Sequence, residues 1–560
     1  MQAMKYLKHT LYAAVAALAV TTACTGDFEE YNTNPNKLTQ GSITPISMLE
    51  PLLYSATNSF DNYMLAIANE ISQVTVAKST PRREHCYNLS NQNFQQIWNL
   101  CYKWAKNADH MYDLAVEQNQ PNFQAIGLTL KVYYMSICTD MFGSVAYTEA
   151  LKGDEGILKP RIDSQKEVYE AMMADLETAN SLYNPSQEME DPAKDAIYAG
   201  DITKWQKFTN TLHLRLLMRV SGRNDAFNPT VGDRIRAIID NPTTYPVFTS
   251  NADNATVKFS GTATYYRNYF NTTTFPNDTS LSGDHHVASQ FLGMIYNAET
   301  GFADPRMYVW IKPRYVNNEI REMVGALSGC TIEFNSNSIR SDKEPYLHYE
   351  TLVRDTNPNR LLDYDELLFI KAEAAMKGWI GGSAQEYYEA AVTASCEKWN
   401  EYGQYAAYPV LNASGEVVLS TVSIGSKEIA AFLASDEGKW DGTEQRLAEQ
   451  KWLALFWVVG FQMYHEMRRT GYPECMTGEG TVDLGYTDGK FIARYAYPQI
   501  AIANNRANYE AAFVEQGATL NDNNMILPVW WSGQAVAKDA GTPWEHSFRH
   551  NIIADESQIE

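Results

Sequence analysis

Apolar side chains return at three- and four-residue steps over long stretches of this chain, a spacing that commits much of it to helices packed by one face. From Phe94 to Leu114 the stripe is Phe94, Trp98, Cys101, Tyr102, Ala105, Ala108 and Tyr112. Pro121 breaks it, and a second helix is predicted from Phe123 to about Thr139. Val168, Tyr169, Met172, Leu176, Ala179 and Tyr183 make another stripe. Trp205, Phe208, Leu212 and Leu216 make the next, ending near Gly222. Leu361 to Lys377 is rich in Leu and Ala and stops at Gly378, with Tyr387 to Trp399 as its partner. Arg446 to Arg469 reads as a single long helix. Its stretch from Trp452 to Met463 is free of charge, yet its twelve residues fall short of the roughly 20 needed to span a bilayer. It reads as a buried core helix. One more helix is predicted at Ile502 to Gln516.

These helices come in pairs with Ala and Tyr at packing positions, in the manner of tetratricopeptide-type hairpins without a strict 34-residue consensus. The expected fold is mainly α: a curved scaffold of helical hairpins over about 41–240 and 358–470. Between them, about 241–357 is rich in Asn, Thr, Ser, Gly and Tyr and shows little periodicity. Irregular stretches longer than about 12–15 residues inside a compact body usually carry function. This insertion is therefore expected to form a loop-rich ligand face with few short strands. A loop-rich C-terminal part, 471–560, completes one body over 41–560.

The N-terminus has a different texture. Lys5, Lys8 and His9 precede ten uncharged residues from Leu11 to Val20, and Thr21, Thr22 and Ala23 lead to Cys24. Basic, apolar and small in that order is a secretory signal, here 1–23, and the cysteine makes it a lipoprotein signal. Thr21 stands where an aliphatic residue is usual. Acyl chains on Cys24, palmitate among them, contribute about 0.8 kcal/mol per buried methylene. Residues 24–40 are polar and aperiodic, a flexible tether. Contact with the membrane is expected through this anchor only.

A formal net charge of −22 argues against nucleic acid as a partner. Apart from Cys24, the cysteines are Cys86, Cys101, Cys138, Cys330, Cys396 and Cys475, and no C-x-x-C spacing points to zinc or a redox pair. His465-Glu466 does not open an H-E-x-x-H motif, since position 469 is Arg. Gly325 to Gly329 reads G-A-L-S-G and misses the nucleophile-elbow spacing. Asp284, His285 and His286 are read as exposed loop residues rather than metal ligands. Asp363, Asp365 and Glu366 offer paired carboxylates for glycoside chemistry, but at a helix start they read as a cap and first-turn charge. No catalytic residue, metal or cofactor is called for. Aromatic residues are the better lead. Tyr265, Tyr266 and Tyr269 surround Arg267 and Asn268, with Tyr308 and Trp310 further on. Flat rings beside amide and guanidinium donors suit polyol or peptide recognition.

Several segments, in order, resemble the SusD/RagB family of outer-membrane lipoproteins from Bacteroidota. They are Asp27 to Thr39 (D-F-E-E-Y-N-T-N-P-N-K-L-T), Thr139 to Leu151 (T-D-M-F-G-S-V-A-Y-T-E-A-L), Trp205 to Ser221, Asp363 to Gly378 and Glu449 to Gly471. Arg494 to Pro498 with Asn508-Tyr509 adds the family's R-x-x-Y-P…N-Y pattern. Ala146 stands where the family usually has proline. The resemblance implies surface display, aided by Asp27, Glu29 and Glu30 behind Cys24. It also implies partnership with a SusC-like TonB-dependent barrel, and non-catalytic capture of a nutrient, oligosaccharide ahead of peptide. It assigns no ligand residue here. The alternative from another class is a surface glycoside hydrolase, which needs two carboxylates facing each other roughly 5–9.5 Å apart in an open groove.

Overall fold

The computed structural model describes residues 43–78, 84–338, 343–478, 480–481, 487 and 491–532. The leader, Cys24, the tether and the last residues of the C-terminal part lie outside them.

Helix α1 (Pro45–Tyr63) opens with proline in its first turn, where the missing N–H has no intrahelical partner to lose. Sequence periodicity did not single it out. α2 (Asn91–Glu117) is capped by Ser90, whose hydroxyl accepts from the Asn93 amide. α3 (Pro121–Phe142) again starts on proline and stops at Gly143, where φ is +88°. Almost every α3 side chain is buried, because other helices cover it on all sides. α4 (Gln165–Leu182) carries a capping box in which Glu167 accepts from the Ser164 amide at 2.8 Å. α5 (Ile202–Arg219) and α6 (Val231–Ile239) continue the series, each packed on its predecessor.

After the irregular insertion come α7 (Tyr364–Met376) and α8 (Ala384–Asn400), a close hairpin, with α9 (Glu444–Ala454) and α10 (Gln462–Thr470) laid against it. The two helical groups join through α5, where buried charges are paired. Arg219 donates to Glu466 at 2.8 Å and Arg215 to Glu366 at 2.7 Å; Arg469 bridges Glu373 at 2.6 Å. Charges this deep persist only when paired.

Two expected helices are each divided. The run from Arg446 to Arg469 is α9 and α10, separated by a turn in which Trp457, Gly460 and Phe461 take positive φ. There the Val459 amide bonds to the Arg360 carbonyl at 2.9 Å, so a tertiary partner replaces the helical one. The run from Ile502 to Gln516 is α11 (Gln499–Asn504) and α12 (Arg506–Glu515), with non-helical Asn505 between them. Asn505 donates from its side chain to the Pro160 carbonyl at 2.7 Å.

Strands are short antiparallel pairs. β1 (Thr75–Ala77), β2 (Ala255–Val257), β3 (His285–Val287) and β4 (Asn359–Leu362) combine as β1 with β3 and β2 with β4. β5 (Ala407–Leu411) and β6 (Val417–Thr421) form a hairpin. One apolar core runs through the described residues from Ile46 to Trp531.

Contacts between distant parts of the chain close this core. The Gln73 side-chain amide exchanges two hydrogen bonds with the Met476 backbone, at 2.7 and 2.8 Å. Tyr497 donates to the Ser144 carbonyl at 2.6 Å, and the Trp531 indole to Asp140 at 3.0 Å.

Candidate ligand-binding surface

The loop that carries the tyrosines is shaped by its asparagines. Asn271 accepts from the Thr273 and Thr274 amides at 2.9 Å and donates to the Asn268 carbonyl at 2.7 Å. Asn268 accepts from the Phe270 amide at 2.6 Å. Side-chain turns of this kind fix a loop without a ladder. Asn268 is thus a buried structural residue. Beneath the loop, Phe270 packs on Phe275 and Trp457. A second segment lies alongside it, with the Asn268 amide bonding to the Asp355 carbonyl and the Arg354 amide to the Phe270 carbonyl.

On this support Tyr265 is 41 % exposed and Tyr266, Arg267 and Tyr269 are half-buried. Tyr265 and Tyr266 meet edge to face at 5.1 Å, and Tyr54 of α1 meets both, at 5.7 and 5.2 Å. Burial, then the Glu50 carboxylate, raises the Tyr54 pKa, and burial raises that of Tyr265, so both hydroxyls remain donors at neutral pH. Arg267 pairs with Asp355 at 3.3 Å and donates to Thr273 at 3.1 Å. Tyr269 donates to Asn62 at 2.8 Å. The result is a shelf of rings with ring-edge hydroxyls and one guanidinium beside it.

Next to the shelf lies a cleft of about 360 Å³ lined by Tyr198, Asn254, Lys258, Thr356, Arg360 and Glu401 among others. Gly261 joins shelf to cleft. Its φ is +71°, and a Cβ there would sit 3.1 Å from Thr356 and 3.2 Å from Asp355. Arg360 lies over the rings of Trp399 and Tyr402, 5.2 and 5.5 Å from their centroids, and donates to the Tyr402 hydroxyl at 3.0 Å.

The other sequence candidates lie apart from this shelf. Tyr308 is half-buried and meets Tyr408 at 4.3 Å. Trp310 has no exposed surface and packs among Phe291, Trp399 and Phe456. Tyr54 escaped sequence reading because α1 did, and Tyr405, with Arg354 3.3 Å above its ring, belongs to the series Trp399, Tyr402, Tyr405 and Tyr408 outside the loop-rich insertion.

Two readings need correction. His285 and His286 are not exposed loop residues: they form β3, and bond to Glu70 and Glu344, each at 3.0 Å. Asp363 occupies the N-cap position of α7 but its carboxylate caps nothing. Lys398 lies between it and Asp365, at 2.9 and 2.6 Å, while Glu366 holds Arg215. All three carboxylates are buried in ion pairs, with no groove between them. No cluster of His, Cys, Asp and Glu suited to a metal occurs among the described residues.

Residues 35–498 match a family model, SusD-like_2, described as starch-binding and associating with the outer membrane. The chain belongs to this SusD-like family. The SusD/RagB resemblance and the mainly helical expectation both hold. A SusD homolog from Bacteroides fragilis, 22% identical, has a TM-score of 0.71 over 87% of this chain and 100% of its own. One from Parabacteroides distasonis, 19% identical, has 0.71 over 88% and 98%. A chitin-binding SusD homolog from Flavobacterium johnsoniae, 23% identical, has 0.65 over 87% and 98%. No curated protein matches the sequence. No helix among the described residues is long and apolar enough to cross a membrane.

Proposed function

We propose that this SusD-like chain captures an oligosaccharide at the outer surface of the cell and delivers it, uncleaved, to a SusC-like TonB-dependent transporter. A leader of residues 1–23 directs export and is cleaved at Cys24, and acyl chains on Cys24 with a tether of residues 24–40 hold the body at the outer membrane. The observation that carries this reading is the shelf of Tyr265, Tyr266, Arg267 and Tyr269, backed by the buried Tyr54, beside the 360 Å³ cleft. Sugar rings stack on flat aromatic faces, while hydroxyls and a guanidinium orient their polar edges. Asn268 and Phe270 support it from below, while Tyr308 and Trp310 lie apart from it. A starch-binding family description and a chitin-binding relative favour a glycan over a peptide.

Calorimetric titration of the purified body with starch- and chitin-derived oligosaccharides tests the reading, with chromatography of the sugar afterwards. Binding with unchanged chain length is expected. Shortened sugar would reject the non-catalytic role, and binding only to peptides would move the ligand class.

A further inference from the structure

α2 and α3 are joined by three residues, 118–120, and run antiparallel. Three contacts fix how they face each other. A Cβ at Gly127 would lie 3.0 Å from the Tyr112 Cβ. Lys131 approaches Asp109 at 3.8 Å, and the rings of Trp98 and Phe142 meet at 5.0 Å. Cys101 lies three residues beyond Trp98 on α2, and Cys138 four residues before Phe142 on α3. Each step is one helical turn, taken in opposite directions along an antiparallel pair, so the two cysteines stay level on facing sides.

Both are wholly buried, and the structure holds them as free thiols. Ala105, Ala108 and Gly127 keep this interface small, and helices packed through small residues approach to about 8 Å between axes. Across the 8–10 Å over which helix axes pack, directly facing Cα atoms about 2.3 Å off each axis lie about 3.4–5.4 Å apart, a range that reaches into the roughly 4.4–6.8 Å a disulfide spans. Burial, then the Cys101 thiol beside it, raises the Cys138 pKa. Once folded, both thiols are shielded from solvent, and the raised pKa of Cys138 keeps it protonated and inert.

We infer that Cys101 and Cys138 are joined by a disulfide in the exported protein, clamping α2 to α3. The bond forms during folding, before the helices close over it. The thiolate of one cysteine attacks the disulfide of a thiol oxidoreductase, giving a mixed disulfide; the second cysteine displaces the enzyme. Two thiols lose two protons and two electrons, one S–S bond forms, and the oxidoreductase leaves as a dithiol. This needs passage through an oxidising compartment, which follows from association with the outer membrane, and it is independent of ligand capture.

The test is peptide mapping of the full chain exported to an oxidising periplasm, alkylated while denatured and never reduced. A linked pair of peptides carrying Cys101 and Cys138, two hydrogens lighter than the separate thiol peptides and separated by reductant, is expected. The melting temperature should fall by several degrees on reduction, and a C101A/C138A variant should lose that response. Alkylation of both cysteines, or pairing of either with another cysteine, overturns the proposal. Mapping the unaltered chain decides even where the variant fails to fold. Sugar titration of the reduced sample separates this result from the capture reading.

Discussion

Glu70 and His285 meet at 3.0 Å with both side chains sealed from water, although 215 positions separate them. His85 approaches the other carboxylate oxygen at 3.4 Å and sets its second ring nitrogen on the Cys330 carbonyl at 3.1 Å. Burial raises the Glu70 pKa, but hydrogen bonds from His285 and His85 outweigh it and leave it at about 2. Burial lowers the His85 pKa, but hydrogen bonds with Cys86 and Glu70 outweigh it and bring it to about 10. The Glu70 contribution to stability is present above its unfolded pKa, about 4.3, and fades as pH falls toward about 2. That of His85 is complete below about 6.5 and is lost as pH rises through about 10. Urea denaturation of Glu70→Gln is expected to show a loss of about 3–5 kcal/mol near pH 6, shrinking toward pH 3.

Gly261 ties the tyrosine shelf to the cleft. Gly261→Ala forces a left-handed conformation on a residue with a Cβ, at about 1–2 kcal/mol, and presses that Cβ on Thr356. Stability should fall by this amount in thermal denaturation, with weaker sugar binding in the same samples.

Tyr265 and Trp310 are expected to respond oppositely. Tyr265→Ala, at an exposed ring, should weaken oligosaccharide binding tenfold or so, about 1.4 kcal/mol, with melting temperature nearly unchanged. Trp310→Ala should cost about 3–5 kcal/mol of stability through the cavity it leaves among Phe291, Trp399 and Phe456. Equal effects on binding and stability for both variants would remove the distinction between shelf and core.

Lys398 neutralises Asp363 and Asp365 where none of the three reaches water. Lys398→Met leaves two adjacent buried carboxylates and is expected to cost about 3–5 kcal/mol in urea denaturation. Adding Asp365→Asn should restore part of that loss, the sign of direct coupling.

Long apolar helices with a local start signal could be read from the sequence alone. Phe94 to Leu114 became Asn91–Glu117, and Phe123 to Thr139 became Pro121–Phe142, each starting from a local cap or proline. The run from Arg446 could not be divided in advance, because its break rests on the Arg360 carbonyl, a partner supplied from elsewhere. His285 and His286 misled for the same reason. Their polar neighbours suggested a surface loop, while the carboxylates that bury them come from Glu70 and Glu344. Of the aromatic lead, the spacing marked Tyr265 and Tyr266, but local sequence carries no sign of which ring faces solvent, so Trp310 could not be told from them.

The bond of Gln73 to the Met476 backbone spans 403 positions, and that of Trp531 to Asp140 spans 391. Synthesis delivers the first helices long before these partners exist. Until residue 476 has followed, the buried amide of Gln73 has no Met476 to pair with, and α3 lacks the C-terminal cover that Trp531 and Tyr497 bring. Contacts of such separation pay a large loop-closure entropy before they return any stability. The native state is therefore a late event in the life of the nascent chain, reached only when nearly all of it has been made. Export as proposed would gain from this timing, because the chain stays loose enough to be threaded through a translocon.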